Sequence, residues 1–213
     1  YVDGYLPGRY GEAHKVSGLE TMQFSATGLV EDIRRCVTMD VKRPGDLIYT
    51  IGETADELGG SEFYDRFGYV GLNVPRLNPH KSMPVYKALY KAVQAGLPLS
   101  IHGVYRGGLA VHLAMCAMGG GLGLTVDLGQ VPVSGKMRAD HLLFSETPGR
   151  FIVTVAPDNR AAFEDLFDPR LCALIGDVKM EAMVDIYNGS DRILSVSVSD
   201  LKAAWKRPFG QLI

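Results

Sequence analysis

The chain has 213 residues, of which 46% are hydrophobic and 22% are charged, and its formal net charge is −2. This composition supports a substantial apolar core and excludes an intrinsically disordered chain. Because the charge is nearly balanced and no basic stripe is visible, we expect no nucleic-acid partner.

The cysteines and the apolar stretches indicate the compartment. Three widely spaced cysteines, Cys36, Cys116 and Cys172, argue against a disulfide framework or a zinc cluster and fit a reducing cytoplasm. The most apolar region, residues 109–128, is interrupted by His112 and by several glycines. We therefore interpret it as a core segment and expect no membrane span. Since the sequence starts with Tyr and not Met, we also expect it to be a piece of a longer polypeptide.

The length suits one large domain or two small ones. Because the sequence has no internal repeat and no low-complexity linker, we assign one domain. Residues 1–18 predict an irregular lead-in, and residues 19–213 predict a single domain. In chain order, the patterns predict strands over residues 22–30 and 46–51, a short helix over 62–67 capped by Ser61, and an amphipathic helix over 83–96.

The stretch from residue 99 to residue 128 organises the rest of the chain. It predicts a strand over 97–101, a polar turn with glycines, a buried helix over 109–118 that glycines end, and a strand over 122–128. In α/β proteins, a turn that follows a strand end and precedes a helix start is where small ligands usually bind.

The second half predicts short elements and a hairpin. We predict helices over 140–144, 159–167 (capped by Asp158) and 200–206 (capped by Ser199), and strands over 151–155, 172–178, 182–187 and 192–198, with Asn188-Gly189 as a hairpin turn. Strands and helices alternate only in part. The fold class is therefore α+β or mixed α/β, with helices packed on a mixed sheet.

Two turns at helix starts are candidate anion sites. The amides of Gly59, Gly60 and Ser61 can hold an anion, or the glycines simply make a tight connection. In the central turn, His102 is either a ligand contact or a structural histidine. Arg106, beside Gly107 and Gly108, is either a phosphate contact or a surface arginine.

A third turn carries a carboxylate. Glu146 lies beside Thr147 and close to Arg150, so that it can bind a ligand or magnesium, or can form a local ion pair. The glycines at 119–123 do not predict a dinucleotide site, because they follow a helix and precede a strand, which is the reverse of the order that such a site needs.

Four stretches, taken in order, resemble a known family. Together they are similar to the C-terminal domain of phosphoribosylformylglycinamidine synthase, within the aminoimidazole ribonucleotide synthetase superfamily. The resemblance extends over nearly the whole chain, down to residues 201–208. The four stretches are residues 25–46, residues 51–61, His102 with Gly107-Gly108 and residues 120–123, and residues 143–151.

The resemblance implies an activity for the whole enzyme. Such synthetases use ATP and Mg²⁺ to activate formylglycinamide ribonucleotide, and ammonia from a glutaminase domain or subunit then forms the amidine. The family pairs each C-terminal domain with an N-terminal domain, twice over, and this chain resembles the second C-terminal domain. The implied fold is the α+β C-terminal domain of that superfamily, and the implied partners are the N-terminal domains and the glutaminase, with a homodimer left open.

The sequence departs from the family at two turns. Where the family reads His-Asp-x-Ser-Asp-Gly-Gly, this chain has His102-Gly103-Val104-Tyr105-Arg106-Gly107-Gly108, without either aspartate. Where the first C-terminal domain has a substrate-touching Glu-Ser-Gln turn, this chain has Glu146-Thr147-Pro148. We therefore expect no catalytic residue and no metal ligand in the chain, and no activity from it alone. The alternatives are a structural domain with a decayed pocket and another ATP-using member of the superfamily.

Overall fold

A seven-stranded sheet forms the centre of residues 34–213 in the computed structural model, which describes residues 3–7, 13–17 and 23–210. Numbered along the chain, its strands are β3 (Leu47–Ile51), β4 (Pro98–Val104), β5 (Gly123–Asp127), β6 (Arg150–Val155), β7 (Cys172–Lys179), β8 (Met183–Asn188) and β9 (Asp191–Ser197). Their spatial order is β4-β6-β3-β7-β5-β8-β9, and every neighbouring pair is antiparallel except β5 and β8. The predicted mixed sheet is thereby confirmed.

Helices cover both faces of this sheet. In β3, Ile48 packs into one apolar cluster whereas Tyr49 and Ile51 pack into the other, because successive side chains point to opposite faces. The helices are α1 (Glu62–Arg66), α2 (Pro79–Gln94), α3 (Gly108–Gly120), α4 (Ala139–Phe144), α5 (Arg160–Glu164) and α6 (Val198–Lys206). α2 and α5 contribute to the cluster of Tyr49, and α3, α4 and α6 to the cluster of Ile48.

None of the helices in the described part of the chain has the length and the apolar character that crossing a bilayer requires.

Two helix starts differ from the prediction because a different residue caps each of them. α2 starts at Pro79, four residues before the predicted start, since Asn78 accepts a hydrogen bond from the His80 amide at 3.0 Å and proline suits a first helical position. The cap of α6 is Ser197 and not Ser199, because the Ser197 hydroxyl accepts from the Asp200 amide at 3.0 Å.

The predicted helix over 159–167 is also wrong in its extent. A 3-10 turn at Pro157–Asn159 precedes α5, and Asn159 rather than Asp158 occupies the cap position. The hairpin turn at Asn188-Gly189 is confirmed, since β8 and β9 pair antiparallel around it.

The N-terminal unit, residues 1–33, is described by itself. It contains β1 (Asp3–Pro7) and β2 (Ala13–Ser17), which pair antiparallel with Asp3 opposite Ser17. The irregular lead-in predicted over 1–18 is therefore wrong for the described residues, because backbone pairing does not require an alternating apolar pattern. The strand predicted over 22–30 is also wrong where it is described: residues 23–30 pair with no strand and are exposed, including Phe24 and Leu29, and residue 22 lies outside the described residues.

We predict that Gly176→Ala destabilises the sheet. Gly176 lies in β7, and a Cβ there would lie 1.8 Å from the Thr125 carbonyl oxygen of β5, which is backbone and cannot move alone. The free energy of unfolding, measured with urea, should fall by about 2 kcal/mol or more.

Gly28→Ala is the matched control, because a Cβ there meets no heavy atom within 4 Å. It should change the unfolding free energy by less than about 0.5 kcal/mol. Equal losses for the two variants would contradict this account of β7.

Candidate functional site

Three of the turns that the sequence selected lie at one end of the sheet. β3 and β4 flank β6 and both run antiparallel to it, so the ends of β3 and β4 lie beside the start of β6. Residues 52–61 follow β3, residues 105–108 follow β4, and residues 145–149 precede β6. The topology thus brings the three candidate turns together.

Glu146 connects two of these turns to its own. Its Oε1 accepts hydrogen bonds from the Gly107 amide at 2.8 Å and from the Glu62 amide at 3.0 Å. Gly107 is the cap residue of α3 and Glu62 is the first residue of α1, so both amides belong to the groups that a helix start leaves unpaired. The chain's own carboxylate therefore accepts an amide at each of the two helix starts that the sequence marked as candidate anion sites.

Gly107 and Gly108 are required by this local packing. Their φ angles are +91° and +71°, in the left-handed region that favours glycine. A Cβ on Gly108 would also lie 2.6 Å and 2.7 Å from backbone atoms of Phe144 and Leu143, at the end of α4. The two glycines thus allow the start of α3 to pass close to the end of α4.

The amides of Gly59, Gly60 and Ser61 already have partners. They donate to the carbonyl oxygens of Asn73 at 2.8 Å, Val70 at 2.6 Å and Leu58 at 3.0 Å. The Ser61 hydroxyl accepts from the Tyr64 amide at 3.3 Å and caps α1 as predicted. An anion would have to displace these bonds, so the geometry favours the tight-connection interpretation, and a ligand role for the three residues stays a prediction.

Arg106 lies on the surface. Its guanidinium pairs with the Glu62 carboxylate at the start of α1, and four-fifths of its side chain is exposed. The arrangement leaves the phosphate contact predicted for Arg106 untested.

Arg150 is buried beneath the turn that carries Glu146. Its Nε donates to the Thr147 carbonyl at 2.8 Å, its Nη1 to the Thr54 hydroxyl at 3.0 Å and its Nη2 to the Ser145 carbonyl at 2.5 Å. Burial lowers the pKa of Arg150 to about 10, and the carboxylates of Glu57 and Glu146 oppose that shift. The interaction considered between Glu146 and Arg150 is therefore an electrostatic attraction between their charges.

The hydroxyls of Ser145 and Thr147 complete this turn. Ser145 Oγ donates to the Ala55 carbonyl at 2.7 Å, and Thr147 Oγ1 accepts from the Ala55 amide at 3.1 Å. The two oxygens lie 3.0 Å apart. The segment after β3 and the turn before β6 are thus held together by buried polar contacts, which set the position of Glu146.

His102 contacts another histidine. Its Nε2 lies 2.9 Å from Nδ1 of His112, and Nε2 of His112 accepts from the Tyr105 amide at 2.9 Å. The proton of neutral His112 must therefore be on Nδ1, from which it is donated to His102. Burial lowers the pKa of both imidazoles, and the charge of His102 lowers that of His112 further.

The turn over 102–108 and Glu146 do not fit a magnesium ion. The turn over 102–108 carries no carboxylate, and Glu146 Oε1, which bonds it, is already bound to two amides. Across the described residues, no group of three or more His, Cys, Asp and Glu side chains is placed to hold a metal.

Sequence reasoning missed several residues of this site. Thr54, Ala55, Glu57, Glu62 and His112 contact the candidate residues across separations of 10 to 96 positions. No local pattern marks such contacts. The one available signal was the place of Glu62 at the first helical position, directly after the cap residue Ser61.

Comparisons with known proteins agree on one family and one fold. The sequence profile for the C-terminal domain of AIR synthase related proteins matches residues 43–187. Thermotoga maritima PurL complexed with FGAR matches with a TM-score of 0.71 and 21% identity over 79% of this chain and 30% of that one. PurLQS from Thermotoga maritima gives a TM-score of 0.68 and 20% identity, covering 79% of this chain and 28% of that one.

A hydrogenase maturation protein matches at greater distance. Escherichia coli HypE gives a TM-score of 0.56 and 17% identity, over 76% of this chain and 51% of that one. The chain spans less than a third of the length of the PurL chains. At these identities the likeness establishes the fold.

We predict that Arg150→Met destabilises the protein. The substitution leaves the acceptors on Thr54, Ser145 and Thr147 without their buried donor. The free energy of unfolding, measured with urea, should fall by about 3 kcal/mol. Arg170→Met is the control, because Arg170 is exposed and pairs with nearby Asp168. A loss no larger than that of the control would show that Arg150 does not organise the turn.

We also predict that acid destabilises the protein through the histidine pair. Because the folded-state pKa of His102 and of His112 is lowered, the unfolded chain binds protons first as the pH falls. Their contribution is therefore complete above the ordinary imidazole pKa, about 6.5, and is lost as the pH falls below it. Urea unfolding at pH 7.5 and 5.5 measures the loss.

Replacing both histidines, as His102→Asn/His112→Asn, should flatten this pH dependence. His80→Asn is the control, since His80 is exposed at the start of α2, and it should leave the dependence as it is. An unchanged slope in the double variant would contradict the assignment.

Proposed function

Because the chain belongs to the AIR synthase related proteins, whose C-terminal domain spans residues 43–187, we propose that it serves as a C-terminal domain of a PurL-type phosphoribosylformylglycinamidine synthase. The whole enzyme would use ATP and glutamine-derived ammonia to convert formylglycinamide ribonucleotide to the amidine. The likeness to Thermotoga maritima PurL, including structures complexed with FGAR and with ATP, supports this choice.

Within such an enzyme, the chain is an auxiliary domain and not the catalytic one. The observation that carries this proposal is the pair of hydrogen bonds that Glu146 Oε1 accepts, one from the Gly107 amide at the start of α3 and one from the Glu62 amide at the start of α1. The Gly107 amide would be a donor for a nucleotide phosphate at the start of α3, and it is already satisfied. The catalytic groups, the ATP and the Mg²⁺ would then belong to other parts of the enzyme.

The site residues act by shaping this end of the domain. Arg150 fixes the turn before β6, Glu146 ties the starts of α1 and α3 to that turn, and the histidine pair holds the backbone after β4. No proton or group transfer is assigned to any of these residues. They form a rigid base against which further domains can dock.

An exposed apolar segment supports a docking role. Residues 67–77, between α1 and α2, expose large hydrophobic side chains, of which Leu72 is 99% exposed. Exposed apolar patches of this kind mark interaction surfaces. We assign this segment to contact with the N-terminal domains of the same enzyme, and the glutaminase domain or subunit would join the whole assembly in the cytoplasm. Its exposed hydrophobic residues are Phe67, Tyr69, Val70, Leu72, Val74 and Leu77.

The runner-up is another ATP-using member of the same family. The match to HypE supports this alternative, but its TM-score of 0.56 is below the TM-score of 0.71 for PurL. Both functions need the rest of an enzyme. In either enzyme, this chain would keep the helix-start amides bound to Glu146.

Calorimetric titration of the purified chain with Mg-ATP, Mg-ADP and phosphate tests the auxiliary assignment. We expect no saturable heat at millimolar ligand, and no amidine when formylglycinamide ribonucleotide, Mg-ATP and ammonia are supplied. Glu146→Ala should lower the free energy of unfolding by about 1–3 kcal/mol, because two helix-start amides lose their acceptor.

Arg106→Ala serves as the matched variant, since it removes the exposed charge beside the turn without touching the Glu146 bonds. It should leave both the stability and the absence of binding unchanged. Saturable nucleotide binding that Arg106→Ala weakens, or turnover by the chain alone, would contradict an auxiliary role.

A further inference from the structure

A cavity lies beside the candidate site, on the face of the sheet that α2 covers. It has a volume of about 260 Å³ and lies between the end of β3, the start of α2 and the turn at 147–149. Charged side chains line it: Glu53 and Glu57 after β3, Arg76 before α2 and Lys81 within α2. Only Thr147 is shared with the residues that the sequence selected.

Glu57, one of the residues that line the cavity, has an unsatisfied carboxylate oxygen. Its Oε1 accepts from the Arg76 amide at 3.2 Å. Its Oε2 is buried and has no hydrogen-bond partner among the described residues. Buried polar atoms are nearly always paired, and a buried carboxylate oxygen without a donor is costly. A ligand N–H at this position would satisfy the oxygen.

The charges around the cavity balance. Glu53 and Lys81 pair with each other at 2.5 Å. The buried Arg150 guanidinium interacts electrostatically with Glu57 and Glu146, so those three groups carry one net negative charge. Arg76 is exposed and contributes one positive charge. The groups around the cavity are therefore neutral overall, with a negative charge on Glu57 and a positive charge on Arg76 in the lining.

Size and the remaining walls restrict the ligand further. Sites for drug-sized ligands usually measure about 300–1,000 Å³, so this cavity suits a smaller molecule than a nucleotide. Val85 and Leu171 give it an apolar wall. The Ser82 hydroxyl donates to the Asn78 carbonyl at 3.0 Å and keeps its lone pairs for a ligand donor.

We propose that this cavity binds a small zwitterion of the α-amino-acid type. The ligand's ammonium group donates to Glu57 Oε2, and its carboxylate faces the guanidinium of Arg76. A short apolar side chain packs on Val85 and Leu171. This site is separate from the closed anion position at Glu146, and it does not depend on the function proposed above.

The test is a binding screen on the 213-residue chain. Each of the standard amino acids is added at millimolar concentration while thermal unfolding is followed, and the strongest ligand is then titrated by calorimetry. We expect a dissociation constant of about 10 µM to 1 mM. The methyl ester and the N-acetyl form of that amino acid, which each lack one charge, should bind at least about tenfold more weakly.

Variants locate the ligand. Glu57→Gln and Arg76→Gln should each weaken binding by about tenfold or more, since each removes one charged partner. Lys87→Gln is the matched control, because Lys87 is exposed on α2 but does not line the cavity, and it should bind as the original chain does. Because Arg76 is exposed, we expect Arg76→Gln to fold. Its affinity for the amino acid therefore tests the proposal even if Glu57→Gln does not fold.

Two results would overturn the proposal. One is a folded chain that binds none of the amino acids at millimolar concentration. The other is an amino acid whose affinity neither Arg76→Gln nor removal of its carboxylate changes. Neither result bears on the auxiliary role, which the nucleotide titrations decide separately.

Discussion

The structure at the functional end of this domain depends on one carboxylate oxygen. Glu146 Oε1 accepts two backbone amides at once, one at the start of α1 and one at the start of α3. Helix-start amides attract negative charge, and in many proteins that charge belongs to a bound phosphate. Here a side chain supplies it. Two amides of the kind that can bind an anion are therefore used to join three turns of the fold.

This arrangement is possible because a buried cation lies beneath it. Arg150 uses three of its nitrogens on the turn over 145–150 and on Thr54, so the backbone that carries Glu146 cannot move freely. The glycines at 107 and 108 then let α3 start close enough to α4 for its amide to reach the carboxylate. The filled position at the start of α3 and the fixed turn that supports the proposed auxiliary role thus both follow from the same packing.

The sequence predicted the parts of the fold that local patterns encode. The strands over Leu47–Ile51 and Arg150–Val155 and the hairpin at Asn188-Gly189 follow from apolar runs and turn residues. It also selected Gly107 and Glu146 as candidates, but not their contact, because no local pattern encodes a bond across 39 positions. The start of α2 and the strands near the N-terminus were missed since capping and backbone pairing override weak composition signals.

Amide hydrogen exchange at Gly107 and Glu62, followed by NMR with and without phosphate, tests the central claim most directly. If Glu146 fills the anion position, both amides exchange slowly, keep their resonances when phosphate is added, and exchange rapidly in Glu146→Ala. An original chain whose Gly107 amide exchanges at the rate of an open turn, or whose resonance shifts saturably with phosphate, would show that the position is open to ligands and would contradict the account.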